Sequence, residues 1–254
     1  MTGILLSGCN GKMGKVITAA AANTDDIEIV GGIDLNTEAG AGYPVFASPA
    51  EVASEVIART DVIIDFSNPS AFAGLIEFAV KAAKPAVFAT TGLNEAQLTL
   101  LHHAADKIPV FFAANMSLGV SLISELAQKA AKVLGDDFDI EIVEMHHNQK
   151  VDAPSGTALM LADSIKEALG EDMRYEYDRH AKREKRGKNE IGIHSVRGGT
   201  ITGEHEIIFA GHDEIIKISH SARSKELFAT GAINAARFLC GKPAGLYGMK
   251  ELIG

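Results

Sequence analysis

The apolar positions of the chain follow two rhythms. Up to about residue 115, short β-branched runs alternate with alanine-rich stretches whose apolar residues recur at helical spacing. The runs at residues 3–7, 27–34, 62–66, 86–90 and 110–112 predict strands, and the stretches at 12–22, 49–58, 69–83 and 94–106 predict helices. Ser48 before Pro49 and Asn68 before Pro69 read as N-caps followed by proline at the first helical position. Strands that are apolar on both sides belong to a parallel sheet covered by helices on both faces. Beyond residue 115 the order changes. A helix at 121–134 leads to a strand at 139–145, a polar loop and a helix at 156–169. Strands follow at 191–196, 204–210 and 214–219, the last two joined through Gly211, His212 and Asp213, and a final amphipathic helix spans 225–240. Strands joined by hairpins are antiparallel. The predicted fold is therefore α/β, a Rossmann-type doubly wound parallel sheet plus a second α+β domain with a mixed or antiparallel sheet. The boundaries are 1–117, completed by 224–254, for the first domain and 118–223 for the second.

Composition narrows the class. The chain has 254 residues, 46% of them hydrophobic, enough for a packed core and too apolar for intrinsic disorder. Its 24 Lys and Arg stand against 33 Asp and Glu, a formal charge of −9 that argues against nucleic acid as a partner. Residues 174–190 carry seven Lys or Arg and four Asp or Glu, which predicts an exposed loop. Cys9 and Cys240 form neither a disulfide framework nor a zinc cluster, so a reducing cytoplasm is expected. No apolar run approaches the ~18 residues of a membrane span, and the first strand meets Gly8 too soon for a signal-peptide core. Neither export nor a membrane partner is expected.

Gly8, Gly11 and Gly14 follow the first strand and open a helix. Glycines allow a tight turn and a close approach of pyrophosphate, while the helix start offers N–H groups and the positive dipole end. Two residues separate the first pair of glycines where the usual fingerprint has one, so the triplet alone is also compatible with an ordinary βα turn. Asp34, twenty residues beyond Gly14 at the end of the second strand, shifts the balance toward a dinucleotide by offering acceptors for an adenosine ribose. Leu35 follows where an NADP site often has arginine, which points to NAD; Lys12 and Lys15 leave a 2′-phosphate possible. Loops expected on the same sheet edge, Asp65 to Asn68 with Phe66, Ala89 to Gly92, and Ala113 to Met116, suit a nicotinamide and its ribose or simple turn chemistry.

The run from Glu144 to Thr157 places His146, His147, Lys150 and Asp152 between a strand and a helix, with Ser155 as N-cap and the amides of Gly156 and Thr157 at the helix start. Those amides, a lysine and a histidine hydrogen bond suit a small carboxylate. His146 or His147 is the natural general acid, since imidazole titrates near neutrality. Adjacent histidines alternate faces on a strand, and neither a thiolate nor a third histidine is close in sequence, so no metal is expected. Surface or structural roles are the default for His102, His103, His205, His212 and His220, and Arg197 lies on a turn between strands, where it could also close over a ligand.

The chain resembles the 4-hydroxy-tetrahydrodipicolinate reductase (dihydrodipicolinate reductase) family over essentially its whole length. The motifs are EMHHNQKVDAPSGTA from Glu144, GCNGKMG from Gly8, DFSNP from Asp65, ATTG from Ala89 and SVRGGTITGEH from Ser195. The resemblance implies reduction of a small cyclic dicarboxylate by NADH or NADPH in diaminopimelate and lysine biosynthesis, and a homotetramer built through the second domain. It implies catalysis by His146 and Lys150, and substrate contacts from His147, Lys150, Ser155, Gly156 and Thr157. Cofactor contacts are implied at Gly8, Cys9, Asn10, Gly11, Lys12, Met13, Asp34, Phe66, Ala89, Thr90, Thr91, Ala113, Ala114, Asn115 and Met116. Ala89 stands where the family often has glycine and Met116 where it often has an aromatic residue. Closure about residues 115 and 223 is expected to precede hydride transfer. Two other readings share the nucleotide half: a related dehydrogenase of an amino or keto acid, such as an aspartate dehydrogenase, and a nucleotide-sensing protein without turnover.

Overall fold

A computed structural model describes residues 1–38, 42–170 and 172–254. In chain order the strands are β1 (Thr2–Ser7), β2 (Ile27–Ile33), β3 (Val45–Phe46), β4 (Val62–Asp65), β5 (Ala86–Phe88), β6 (Pro109–Phe112), β7 (Asp139–His146), β8 (Arg174–Glu176), β9 (Glu190–Arg197), β10 (Gly203–Ala210), β11 (Ile215–Ala222) and β12 (Gly245–Tyr247). The helices are α1 (Lys12–Ala22), α2 (Ser54–Arg59), α3 (Pro69–Lys81), α4 (Glu95–Ala105), α5 (Leu118–Leu134), α6 (Gly156–Leu169), α7 (Glu226–Leu239) and α8 (Met249–Ile253). Contacts divide the chain into two units: Met1–Leu118 with Lys225–Gly254, and Gly119–Ser224. Among the described residues, no helix is long and apolar enough to cross a membrane.

The first unit is a parallel sheet in the order β12-β6-β5-β4-β1-β2-β3. Its double winding follows from strands that are apolar on both sides. In β1, Ile4 and Leu6 join one core with Ile17 of α1 and Ala232 and Ala236 of α7, whereas Leu5 joins a second core with Phe72 and Leu75 of α3 and Leu101 of α4. Each fully buried Leu, Ile or Phe among them contributes roughly 1.5–3 kcal/mol relative to exposure. Asn68 caps α3 as expected, its Oδ1 accepting from the Ser70 amide at 3.0 Å. Ser48 stands at the N-cap of a shorter, 3-10 helix with Pro49 at its first position, but makes no side-chain capping hydrogen bond. Its hydroxyl donates to Glu51 at 2.9 Å, and the helix predicted over 49–58 divides into a single 3-10 turn, Pro49–Glu51, and α2. The break comes at Val52 and Ala53, which are extended, and Val52 is buried in the second core.

The second unit is a mixed sheet in the order β11-β10-β7-β9-β8. Strand β7 runs parallel to β9 and antiparallel to β10. Alternate residues of β7 and β10 are buried, so Ile140, Ile142, Ile207 and Phe209 face a core shared with Ala127 of α5 and Leu161 and Ile165 of α6. Residues 174–190 are not simply an exposed loop. Arg174–Glu176 form edge strand β8, and Arg186 is drawn inward to the carboxylates of Glu141 (2.9 Å) and Asp139 (3.1 Å) and the carbonyl of Ile140 (2.9 Å). Arg179 and Lys182 pair within the segment, with Glu190 and Glu176, so the charge run is held by partners on β7 and by its own carboxylates.

Candidate functional site

All strands of the first unit are parallel, so their carboxyl ends open on one edge. There β1 turns into α1 through the glycine run. Gly8 has φ +76°, and a Cβ on it would stand 2.8 Å from the Phe66 carbonyl oxygen; a Cβ on Gly14 would stand 2.2 Å from that of Gly8. Gly11 stands at the N-cap of α1 without a side-chain hydrogen bond, and no acid occupies the helix's own first turn. The Asp34 carboxylate accepts from the backbone N–H of Asn10 at 2.9 Å and of Asn36 at 3.0 Å, linking the end of β2 to the turn. A cleft of about 560 Å³ runs along Gly8, Gly11, Asp34, Leu35, Phe66 and Asn68. Glycines that admit no Cβ, beside an uncapped helix start and a carboxylate, fit a dinucleotide.

The other residues implied at this edge divide by burial. Lys12, Thr91 and Ala114 are exposed, whereas Cys9, Ala89, Thr90, Ala113 and Met116 are buried. Burial pushes the Cys9 thiol up to about 11, and the Asp34 charge adds to the effect. The Thr90 hydroxyl donates to the buried Asp65 at 2.6 Å. Met116 is packed in the core beside Gly231, so the apolar surface expected of it at the loop is not on offer. Asn10, Met13 and Asn115 are half-buried.

In the second unit the polar loop is built on Glu144. This residue occupies a core-facing position of β7, opposite His205 of β10 and Ser195 of β9, and is fully buried. Arg197 grips it with Nη2 to Oε1 at 2.7 Å and Nη1 to Oε2 at 2.8 Å. The Ser155 amide donates to Oε1 at 3.1 Å, and His146 Nδ1 lies 2.6 Å from Oε2. Burial opposes ionisation of Glu144, but hydrogen bonds from Arg197, Ser195 and His146 outweigh it and hold the carboxyl down at about 2. His205 packs edge-on to His146 with ring centres 5.3 Å apart. Burial lowers the His205 pKa to about 4, and His146 adds to the shift.

Ser155 caps α6, its oxygen accepting from the Ala158 amide at 3.1 Å. The same oxygen lies 2.9 Å from Nε2 of His205, and the residue is buried. These partners occupy the hydroxyl implied as a substrate contact, which leaves Ser155 the task of shaping the helix start. Gly156 beside it is exposed. Lys150 donates to both oxygens of Asp152 at 2.8 Å, and the Asp152 carbonyl accepts from Arg197 at 2.7 Å. Nδ1 of His147 is buried without a protein partner. The structure thus gathers His146, Lys150, Ser155 and Gly156 around one ion pair. Two members of this network, Arg197 as the partner of Glu144 and His205, were not anticipated from sequence. The signal was the alternation: Glu144 continues the inward set Ile140 and Ile142, and His205 precedes Ile207 and Phe209 on the inward face.

Comparison with known proteins covers both units. Residues 2–116 match the family model described as dihydrodipicolinate reductase, N-terminus, and residues 119–253 the one described as dihydrodipicolinate reductase, C-terminus. The chain is 51% identical over 253 residues to a 4-hydroxy-tetrahydrodipicolinate reductase of Caldanaerobacter subterraneus subsp. tengcongensis, covering 100% of this chain and 98% of that protein. It is 47% identical over 249 residues to the protein of that name from Clostridium tetani, with 98% and 96% covered. Among solved structures it is similar to dipicolinate-bound dihydrodipicolinate reductase from Paenisporosarcina sp. TG-14, with TM-score 0.81, 26% identity and 99% of each chain covered.

Proposed function

The chain belongs to the dihydrodipicolinate reductase family, and on that premise we propose that it reduces 4-hydroxy-tetrahydrodipicolinate to tetrahydrodipicolinate in the diaminopimelate route to lysine. The observation that carries this reading is the histidine anchored by Glu144 beside the exposed start of α6. A planar dicarboxylate needs a site of that kind, and the relative from Paenisporosarcina is a dipicolinate complex.

The first unit binds the nicotinamide cofactor, with Gly8, Gly11 and the start of α1 taking the pyrophosphate and Asp34 the adenosine ribose. When bound, the cofactor supplies the hydride; in net terms the substrate gains one hydride and one proton and loses its hydroxyl as water. His146 delivers the proton to the ring carbon that becomes electron-rich. Lys150, His147 and the α6 start at Gly156 and Thr157 offset the negative charge of the substrate carboxylates. Leu35 is 94% exposed and brings no cation to the ribose side, which favours ready use of NADH. The second unit carries the substrate and, with the sheet face turned away from α5 and α6, a tetrameric assembly in the cytoplasm.

Following 340 nm absorbance with NADH and freshly generated 4-hydroxy-tetrahydrodipicolinate tests the reaction, and parallel dissociation constants for NADH and NADPH test the preference. His146→Gln lowers kcat by roughly 10²–10⁴-fold while leaving pyridine-2,6-dicarboxylate affinity nearly unchanged. No substrate-dependent oxidation of NADH or NADPH by the unsubstituted protein, or full turnover by the variant, rejects the assignment concerned.

A further inference from the structure

Among the described residues, Glu144 is the one fully buried carboxylate of the second unit, and each of its oxygens is committed. Oε1 accepts from the Ser155 amide and Arg197 Nη2, and Oε2 faces Arg197 Nη1 and His146 Nδ1. An ionised carboxylate has no hydrogen to give, so Nδ1 of His146 must be the donor in the 2.6 Å contact. Nε2 is then the nitrogen that exchanges a proton. It points toward Gly203, where a Cβ would intrude to 3.1 Å, and the missing side chain keeps the space beside it open.

The same carboxylate indexes the rest of the loop. Through Ser155 it fixes the start of α6. Through Arg197, which also donates to the Asp152 carbonyl, it holds the residue that pairs with Lys150. The other titratable neighbours do not compete for the imidazole. His205 of β10 packs edge-on to it and His220 lies opposite His205 on β11, while Lys150 is engaged by Asp152. Glu144 is the anion bonded to His146.

We infer that Glu144 is a positioning residue for the reduction: it holds Nδ1–H of His146 inward, so that the transferable proton always sits on Nε2. The inference rests on the proposed role of His146 as general acid. In each turnover the Nε2–H bond breaks as a C–H bond forms on the electron-rich ring carbon, the neutral Nδ1–H imidazole remains bonded to Glu144, and solvent returns a proton to Nε2. Glu144 stays ionised throughout, so the net charge of the pair falls by one when Nε2 gives up its proton and is restored when solvent returns it.

Two measurements on the full-length protein test this. Nitrogen-15 NMR of labelled histidine, with His146→Gln identifying the resonances, is expected to find neutral His146 protonated at Nδ1. Glu144→Gln presents an amide N–H₂ to Nδ1 while its oxygen stays with Arg197 and Ser155, so the ring adopts the Nε2–H form. That variant is expected to lose about 10²-fold or more in kcat, with the His146 limb of the pH profile moved to lower pH. Its affinity for pyridine-2,6-dicarboxylate should stay within about threefold. A neutral Nε2–H ring in the unsubstituted protein overturns the inference, and this holds even if Glu144→Gln fails to fold. Wild-type kcat and pH profile in Glu144→Gln, with His146→Gln inactive, overturn the positioning role alone. Full turnover by His146→Gln removes the acid role and the inference with it.

Discussion

The glycine turn at residues 8–14 and the polar loop at residues 144–157 both connect a strand to a helix, yet they hold their working groups by different means. The turn is made of backbone. Its shape depends on side chains being absent at Gly8 and Gly14, and its one carboxylate, Asp34, is bonded to the amides of Asn10 and Asn36. The loop is made of side chains that converge from three strands, Glu144 and His146 from β7, Arg197 from β9 and His205 from β10. A backbone site tolerates little added volume. A side-chain site tolerates little lost charge. The reason is the cost of each defect: an intruding atom forces local repacking, whereas a buried ion without its partner has no solvent to replace it.

The largest expected effect follows from the second half of that contrast. Arg197→Met leaves Glu144 with no guanidinium, and orphaning one member of a buried pair costs about 3–5 kcal/mol. Because the Arg197 side chain is 20% exposed while that of Glu144 is 0% exposed, the loss should fall near the lower end, about 3 kcal/mol. The measurement is the midpoint of urea unfolding. Adding Glu144→Gln to Arg197→Met removes the orphaned charge and should restore part of the loss. A single variant as stable as the parent protein would mean that the pair contributes register and not stability.

Gly14→Ala probes the other half. The new methyl would lie 2.2 Å from the carbonyl oxygen of Gly8 and 2.4 Å from that of Cys9, and both are backbone, so the turn itself must move. The expected cost is about 1–3 kcal/mol in stability, with a weakened Kd for NADH by equilibrium dialysis. Affinity for pyridine-2,6-dicarboxylate, whose proposed site lies in the other unit, should be unchanged. If both affinities fell together, the separation of backbone and side-chain sites would fail.

This contrast also explains what could be read along the chain. The parallel sheet, the glycine turn and the N-cap at Asn68 depend on residues close in sequence, and local spacing records them. Arg186 looked like part of a solvated charge run because its partners, Asp139 and Glu141, lie more than forty residues away. Strand β12 has three residues and exists through its pairing with β6. Met116 was expected to offer a surface to the cofactor, but packing beside Gly231, distant in sequence, buries it. His146, Lys150 and the start of α6 were visible as a cluster of unlike functional groups. The anchors beneath them were written in a weaker code, a charged residue and a histidine at inward positions of otherwise apolar strands.

The smallest expected effect separates the regions by acid. His205, at an ordinary value of 6.5 when unfolded, is held at about 4 in the fold by burial, with the neighbouring His146 adding to the effect. Between those values the unfolded chain binds a proton that the folded one refuses, so the contribution of His205 is complete above 6.5, declines as the pH falls and is gone below about 4. Glu144 follows in a lower window, from 4.5 down to about 2, because its folded value is depressed. Cys9 at the glycine turn remains a neutral thiol throughout. His205→Asn, which retains a hydrogen-bonding group for Ser155, removes only the upper window. Between pH 6.5 and about pH 5.5 the parent protein should lose ~1 kcal/mol more than the variant, read from urea midpoints at each pH. Parallel curves would mean that His205 takes up its proton in the folded state, and the neutral wall beside His146 would then be charged under mildly acidic conditions.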